Sequence, residues 1–399
     1  MNQLSTPWGD LLLSRYPASA NDPLRAWDAA DEYLLRALAG LAGRTAQAEP
    51  KETGAGDEPV ELTGRHLTVL GDRWGALTAA LARTGAASLT QVSDSWLAQQ
   101  ATRANLAANG TDPAGADLRS TRDAPPPRID VLLVRVPKSL SLLEDQLHRL
   151  APALRPGSAV LGTGMVTEIH TSTLALFERI LGPTRTTLAV RKARLVLTTP
   201  TAHDPGPSPW PLRYRLASDE PFPGLALTNH AGVFCADRLD IGTRFLLQHL
   251  PTGRRGTIVD LGCGNGVVGT AAALANPDAE LLFVDESLQA VASAEETFRE
   301  NVRQGRARFA AADALAEVPD ASVDLVLNNP PFHSHQATTD ATAWRMFTGA
   351  RRALRPGGEL WVVGNRHLGY HVKLKRLFGN CEVVAADRKF VVLRAVRRS

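Results

Sequence analysis

The sequence predicts an α/β protein made of two tandem Rossmann-like domains, the first degenerate and the second complete. Three observations support this prediction. Strand and helix signals alternate through the second half of the chain, the first half repeats the same pattern, and a Pro-rich stretch separates the halves. Alternation of this kind implies a mostly parallel sheet with helices on both faces.

Composition limits the class of protein. The chain has 399 residues, 44% of them hydrophobic and 21% charged, which fits two or three soluble domains. No stretch approaches the roughly 20 apolar residues of a membrane span, and the first residues lack the pattern of a signal peptide. Cys235, Cys263 and Cys381 lie far apart with no CxxC pair. We therefore expect a cytoplasmic protein, by default a monomer, with no disulfide framework, no metal site and no membrane association.

The second half contains the complete pattern. A strand is predicted over 257–260, and a helix of small residues over 267–275 ends at Asn276-Pro277. Further strands are predicted over 281–285, 323–327 and 360–363, and a helix over 287–301. The chain ends in a predicted hairpin, 381–385 with 390–395. An antiparallel final strand is typical of class I methyltransferases and is missing from doubly wound dehydrogenases.

The first half repeats this pattern in register. Residues 67–75 align with 258–266, and the spacing from Gly71 to Asp94 equals that from Gly262 to Asp285, 23 residues in each case. Further matches join 131–138 to 324–331 and 154–158 to 354–358. Four matches in register indicate an old duplication.

The two copies differ at the positions that carry chemistry. Arg73 stands at the position of Gly264, where a side chain would obstruct a nucleotide, and Val136 stands at the position of Asn329. We therefore predict a non-catalytic domain over 1–199, a Pro-rich linker over 200–224 and a catalytic domain over 225–399.

The glycine turn and the acids near it predict a cofactor pocket. Gly262, Gly264 and Gly266 allow a sharp turn from strand to helix, against which the methionine part of S-adenosylmethionine can lie. Asp285 ends the next strand and is expected to accept from the ribose hydroxyls. Asp260 is expected at the amino-acid end of the cofactor. Asp313 is expected at the adenine amino group, with a helix N-cap as its alternative. NAD is the competing cofactor, but the G-x-G-x-x-G spacing is missing.

The sequence Asn329-Pro330-Pro331-Phe332 predicts a slot for a planar amine. The lone pair of such an amine is delocalised. Acceptors at the Asn329 side chain and the Pro330 carbonyl would turn this lone pair toward the methyl donor. Asn329 is also expected to contact the methyl donor itself. Pro331 stiffens the segment, and Phe332 offers a face for stacking. An ordinary turn that closes a strand is the alternative reading of Asn-Pro-Pro.

The end of the chain is strongly basic. Residues 341–399 contain 13 Lys and Arg against 3 acids, a local balance of +10. A solvated basic face is the simple interpretation, and a phosphate-binding surface beside the amine slot is the functional one.

Several segments resemble the bacterial ribosomal RNA guanine-N2 methyltransferases, chiefly those of the large subunit. The resemblance covers most of the chain and rests on the segments 136–138, 169–174, 227–234, 239–243, 329–333, 364–370 and 373–381. It implies a flipped guanine of 23S rRNA as the substrate. His333, Arg366 and His367 are, with Phe332, the candidates for contact with that base.

Four alternatives remain open. Three are enzymes: a 16S rRNA guanine-N2 methyltransferase, a protein glutamine methyltransferase and a DNA adenine methyltransferase. The fourth is an RNA-binding assembly factor without activity.

Overall fold

The computed structural model describes residues 2–18, 24–41, 58–331 and 336–398, with the backbone alone for 336–340. The chain divides into two compact units, Met1–Pro209 and Trp210–Ser399.

The first unit contains nine strands and five helices within the described ranges. In chain order they are β1 Gln3–Thr6, β2 Gly9–Leu12, α1 Ala29–Leu38, β3 His66–Leu70, α2 Ala76–Leu81, β4 Ser88–Ser93, α3 Trp96–Ala108, β5 Asp117–Ser120, β6 Ile129–Arg135, α4 Leu140–Leu150, β7 Leu154–Met165, α5 Thr171–Ile180, β8 Thr184–Thr186 and β9 Ala193–Thr198.

The second unit continues the series. Its elements are β10 Leu212–Arg215, β11 Ala226–Asn229, α6 Ile241–Leu247, β12 Gly256–Leu261, α7 Val267–Ala275, β13 Ala279–Asp285, α8 Leu288–Asn301, β14 Arg306–Ala311, β15 Val323–Asn328, α9 Gln336–Ala353, β16 Leu354–Asn365, a 3-10 turn Arg366–Leu368, α10 Tyr370–Phe378, β17 Glu382–Ala386 and β18 Phe390–Val396.

The two large sheets have the same topology, which confirms the predicted pair of α/β domains. Their strand orders are β5-β4-β3-β6-β7-β9-β8 and β14-β13-β12-β15-β16-β18-β17. If the seven strands of each sheet are numbered along the chain, both orders read 3-2-1-4-5-7-6. In each sheet, the first five strands are parallel. The seventh strand, β9 or β18, runs antiparallel between the fifth and the sixth. The predicted antiparallel ending is therefore present in both units.

Apolar cores lie on both faces of the second sheet. Ile258 and Leu325 pack on the face covered by α6, α7 and α8, whereas Val259 and Val326 pack on the face covered by α9 and α10. The central strands are therefore buried on both sides, as their continuous apolar runs predict. Ser287 starts α8 by accepting a hydrogen bond from the backbone N–H of Ala290.

The segment predicted as a linker contains regular structure. Strand β10 lies within 200–224 and pairs antiparallel with β11, which follows that segment. Leu212 and Tyr214 are half-buried and alternate with the exposed Arg213 and Arg215, which is the pattern of a strand. The many prolines of 200–224 favour a linker, and for that reason the strand was not predicted. The predicted domain limits 1–199 and 225–399 therefore stay predictions, with a unit boundary here at 209/210.

The described residues were also compared with the patterns of a membrane-spanning helix and of a metal site. Within the described ranges, no helix has the length and apolarity needed to cross a membrane. The same residues include no group of three or more His, Cys, Asp or Glu side chains that could hold a metal ion. All three cysteines are free thiols.

Candidate active site

The turn after β12 leaves space for a ligand at the carboxyl edge of the second sheet. At Gly264, φ is +53°, and a Cβ atom placed there would meet none of the described atoms within 4 Å. Gly266 is different, since φ is +74° and a Cβ atom there would lie 2.6 Å from the Cα atom of Ala294 in α8. The open side at Gly264 therefore fits the approach of S-adenosylmethionine, while Gly266 lets α7 and α8 pack closely.

Asp285 ends β13 with its carboxylate fixed beside this turn. One carboxylate oxygen accepts from the backbone N–H of Gly264 at 3.0 Å, and the other accepts from that of Ser287 at 3.0 Å. Burial raises the pKa of Asp285 above its ordinary value. The backbone N–H of Glu286 also donates to this carboxylate, and since two carboxylate oxygens offer about four lone-pair sites, acceptor capacity remains for the predicted contact with ribose hydroxyls.

Asp260, in β12, fixes the start of helix α7. Its carboxylate is almost fully buried and accepts from the backbone N–H of Gly269 at 2.7 Å. Burial raises the pKa of Asp260 to about 8, and the neighbouring Asp285 adds to this, against the lowering effect of the Gly269 N–H. The geometry fits a residue that positions the turn, and its predicted contact with the amino-acid end of the cofactor stays a prediction.

Asp313 already has a partner in this structure. Its carboxylate lies 3.4 Å from the guanidinium of Arg345 in α9. The predicted contact with the adenine amino group would therefore use an oxygen of an existing ion pair.

Asn329 directly follows β15, and its side-chain amide is held on one side only. The amide nitrogen Nδ2 donates to the hydroxyl of Thr243 at 2.8 Å and lies 3.5 Å from a carboxylate oxygen of Asp240. The amide oxygen Oδ1 is buried and has no hydrogen-bond partner among the described residues. A buried acceptor without a partner is costly unless a ligand supplies the donor.

The network around Thr243 explains this orientation. The Thr243 hydroxyl is placed to donate to Asp240 at 3.3 Å, and the Thr243 backbone N–H donates to the same carboxylate oxygen at 2.8 Å. A hydroxyl that donates to a carboxylate can offer only a lone pair to Asn329. The nitrogen of Asn329 must then face Thr243, and the oxygen must face away from it.

Asp240 and Thr243 are site residues that sequence reasoning missed. In the sequence they stand out only as part of the segment 239–243, which contributes to the family resemblance. Their spacing is the usual pattern of a helix N-cap, and Asp240 does cap α6. Capping by itself accounts for this local pattern, so the pattern gives no sign of the contact with Asn329.

The rest of the predicted target slot is described in part. Pro330 is buried and Pro331 is exposed. Phe332 and His333 lie outside the described residues. Asn328, one residue earlier, is fully buried and donates from Nδ2 to the backbone oxygen of Leu261 at 2.7 Å. This bond ties the end of β15 to the glycine turn.

Arg366 and His367 are both exposed, in the 3-10 turn directly after β16. The Arg366 backbone N–H donates to the oxygen of Lys389 at 2.9 Å, and its guanidinium donates to that of Asp387 at 3.0 Å. These bonds join the turn after β16 to the turn between β17 and β18. The structure therefore brings both residues to the edge where the predicted target slot begins.

Part of the C-terminal positive charge is neutralised within the unit. Arg345, Arg352, Arg355 and Arg394 form ion pairs with Asp313, Asp320, Asp324 and Glu359, respectively. Arg366, His367, Arg388 and Lys389, in contrast, lie together at the carboxyl edge with Asp387 as the acid among them. Part of the excess positive charge therefore lies at the edge where the predicted amine slot begins.

The corresponding edge of the first unit is filled by ion pairs. Arg135, fully buried, lies 2.6 Å from Asp28 and 2.8 Å from Glu168. Arg73, at the position equivalent to Gly264, lies 2.6 Å from the other oxygen of Glu168. Burial would raise the pKa of Glu168, but Arg135 and Arg73 lower it to about 2. The first copy thus has charged side chains where the second has an open glycine turn.

Two family models together match most of the chain. The model described as Methyltransferase small domain matches residues 224–394, and the model described as RLMG N-terminal domain matches residues 1–202.

Relatives of high identity carry one name. The ribosomal RNA large subunit methyltransferase G of Streptomyces avermitilis is 65% identical and covers 99% of both chains. The protein of the same name in Pseudomonas aeruginosa is 47% identical, over 99% of this chain and 100% of its own. The solved structure of a T. thermophilus 16S rRNA N2 methyltransferase, in complex with AdoMet and guanosine, is similar with a TM-score of 0.72. It is 22% identical and covers 100% of this chain and 98% of its own, a likeness that concerns the fold.

Proposed function

The chain belongs to the ribosomal RNA large subunit methyltransferase G family, and on this premise we propose that it methylates the exocyclic N2 amine of a guanosine in 23S rRNA. The methyl donor is S-adenosylmethionine. The observation that carries the proposal is the buried Oδ1 of Asn329, which has no partner among the described residues while its Nδ2 is held by Thr243.

The residues around the glycine turn fit the methyl donor. The open side at Gly264 admits the methionine part, and Asp285, fixed by two backbone N–H groups, accepts from the ribose. When bound, S-adenosylmethionine supplies a methyl group whose C–S bond breaks as the N–C bond forms. Asp260 acts indirectly, because its hydrogen bond to the backbone N–H of Gly269 holds the first turn of α7 in place.

The residues at the end of β15 handle the amine. Asn329 Oδ1 and the carbonyl oxygen of Pro330 each accept one N–H of the guanine N2 amine. Both protons are then held away from the methyl donor, and the nitrogen lone pair faces it. No strong base is required, because the extra proton leaves the nitrogen for water after the N–C bond has formed. The residues therefore act mainly by orientation, which can contribute several kcal/mol.

The charges at the carboxyl edge favour RNA as the substrate. Arg366, His367, Arg388 and Lys389 surround the approach to the slot, and such a one-sided positive field suits phosphates. We also infer action in the cytoplasm, where ribosomal RNA is found in bacteria, and action as a monomer, since the second unit contributes every residue used in this argument.

Methyl transfer to purified rRNA tests the proposal. The protein would be incubated with methyl-labelled S-adenosylmethionine and unmodified 23S or 16S rRNA, and the RNA would be digested to nucleosides. We expect labelled N2-methylguanosine from 23S rRNA. The Asn329→Ala variant should lose at least about a hundredfold in rate, because an amine without its acceptor is poorly oriented.

The melting temperature of Asn329→Ala is the control for folding and should stay near that of the wild type. Label in 16S rRNA alone would assign the protein to the small subunit. Label in neither RNA would refute the proposal and make protein glutamine the next substrate to test.

A further inference from the structure

Besides Asn328 and Asn329, a third amide at the carboxyl edge has an acceptor that no described residue uses. Asn365, the last residue of β16, carries a side-chain oxygen Oδ1 that is buried and lacks a hydrogen-bond partner within the described part of the chain. A buried carbonyl oxygen without a donor is uncommon in folded proteins and calls for an explanation.

The sheet register places Asn365 on the same face as Asn329. Asn365 pairs directly with Phe390 of β18, and paired residues of antiparallel strands point to one face. Phe390 belongs to the core under α6, and a Cβ atom added to Gly242 of α6 would lie 3.0 Å from its ring. Asn329 reaches the same helix through Thr243. Both amides therefore lie on the face covered by α6.

The two amides are also close along the sheet. Asn328 of β15 is in register with Val362 of β16, so Asn365 lies two residues beyond the level of Asn329 on the neighbouring strand. With about 3.3 Å per residue and about 4.8 Å between strands, their Cα atoms are on the order of 8 Å apart. Two amide side chains at this separation can reach neighbouring atoms of one base.

The backbone at Asn365 is fixed by the adjacent turns. The following residue, Arg366, bonds through its N–H to Lys389 and through its guanidinium to Asp387, at 2.9 and 3.0 Å. Asn365 is thus held by its pairing with β18 and by the turn that follows it, and a residue that reads a substrate needs such a fixed position.

We propose that Asn365 selects guanine by accepting a hydrogen bond from its N1–H, next to the N2 amine that Asn329 accepts. This inference rests on the proposed function. Guanine presents two neighbouring donors on this edge, N1–H and N2–H. Adenine presents a donor at N6 beside an acceptor at N1, and that lone pair would face the Asn365 oxygen. A row of acceptors therefore favours guanine, and a mismatched base leaves a buried polar group unpaired.

Replacing N1–H within the substrate tests the proposal. Two RNA fragments that span the mapped target would be made, one with guanosine and one with 2-aminopurine riboside at that position. Both bases carry the 2-amino group, but N1 of 2-aminopurine has a lone pair in place of the proton. For the wild type we expect kcat/KM to favour guanosine by roughly tenfold to a hundredfold.

Two variants isolate the contribution of Asn365. Asn365→Leu removes the acceptor at similar size and should reduce the preference for guanosine to a few-fold. Asn365→Asp keeps an acceptor and should retain the preference. Because 2-aminopurine also lacks O6, the change in preference between variants, rather than the wild-type preference alone, measures the contact with N1–H. If the Leu variant fails to fold, Asn365→Ala takes its place.

The outcomes separate this inference from the proposed function. A Leu or Ala variant that is active and keeps the full wild-type preference would overturn the role of Asn365 and leave N2 methylation standing. A wild type that treats both fragments alike would do the same. If the wild type forms no N2-methylguanosine in 23S rRNA, the proposed function fails, and the role of Asn365 fails with it.

Discussion

At the scale of single residues, the direction of one amide decides what the site can do. Asn329 could present a donor or an acceptor to a ligand, and the two are chemically opposite. Thr243 and Asp240 settle the direction because a carboxylate that only accepts orders the hydroxyl, which then orders the amide. The Asn-Pro-Pro segment supplies the acceptor, Oδ1 of Asn329, and the residues at the start of α6 fix its direction.

Removing the Thr243 hydroxyl should therefore impair catalysis more than binding of the methyl donor. We expect Thr243→Val to lower kcat by roughly tenfold to a hundredfold, because misplacement of an orienting group has costs of this size. Affinity for S-adenosylmethionine, measured by calorimetry, should change little. Thr243→Ser keeps the hydroxyl and is the matched control. A Val variant with the kcat of the Ser variant would refute the orienting role.

At the scale of elements, two glycines of the turn after β12, Gly264 and Gly266, have separate tasks. Gly266 is a packing residue, because a Cβ atom there would lie 2.6 Å from the backbone of α8. Gly264 faces open space, and only its φ of +53° disfavours a side chain. The sequence pattern presents both as equal members of one motif.

This difference predicts opposite results for two matched substitutions. Gly266→Ala should destabilise the second unit by more than about 2 kcal/mol, since α7 and α8 would have to separate. Gly264→Ala should cost only about 1–2 kcal/mol from backbone strain, but it should weaken binding of S-adenosylmethionine. Thermal unfolding and calorimetry would measure the two effects. Equal melting temperatures for both variants would contradict this division of tasks.

At the scale of the whole molecule, one topology has been used in two ways. Both sheets have the strand order 3-2-1-4-5-7-6, but the equivalent edges hold an open glycine turn in one unit and a buried ion cluster in the other. In the first unit, the buried Arg135 neutralises Asp28, Asp31 and Glu168, and the more exposed Arg73 also pairs with Asp28 and Glu168. That edge has thus become part of the core of its unit.

Loss of Arg135 should therefore destabilise the first unit alone. Arg135→Met leaves Asp28, Asp31 and Glu168 without their buried cation, and we expect a loss of roughly 3–5 kcal/mol in its free energy of unfolding. Arg128→Met breaks the more exposed pair with Asp130 and should cost at most about 1 kcal/mol. Denaturant unfolding would compare the two, and affinity for S-adenosylmethionine should be unchanged in both. Similar stabilities for the two variants would show that the cluster is not structural.

The sequence by itself determined the pair of α/β domains, the degenerate first copy, the final antiparallel strand and the methyl donor. These features are encoded locally, because apolar periodicity and glycine spacing report on neighbouring residues. Helix α7, for example, has the predicted limits of 267–275.

Only the tertiary structure decided how the side chains of the candidate site are oriented. Thr243 and Asp240 lie 86 and 89 residues from Asn329 along the chain, and their contact depends on the packing of α6 against the sheet. Asn365 lies on the same face of the sheet as Asn329 because of strand register, and several C-terminal arginines are neutralised by acids that are distant along the chain. Hydrogen bonds and ion pairs of this kind join residues that are far apart along the chain, so a local pattern cannot specify them.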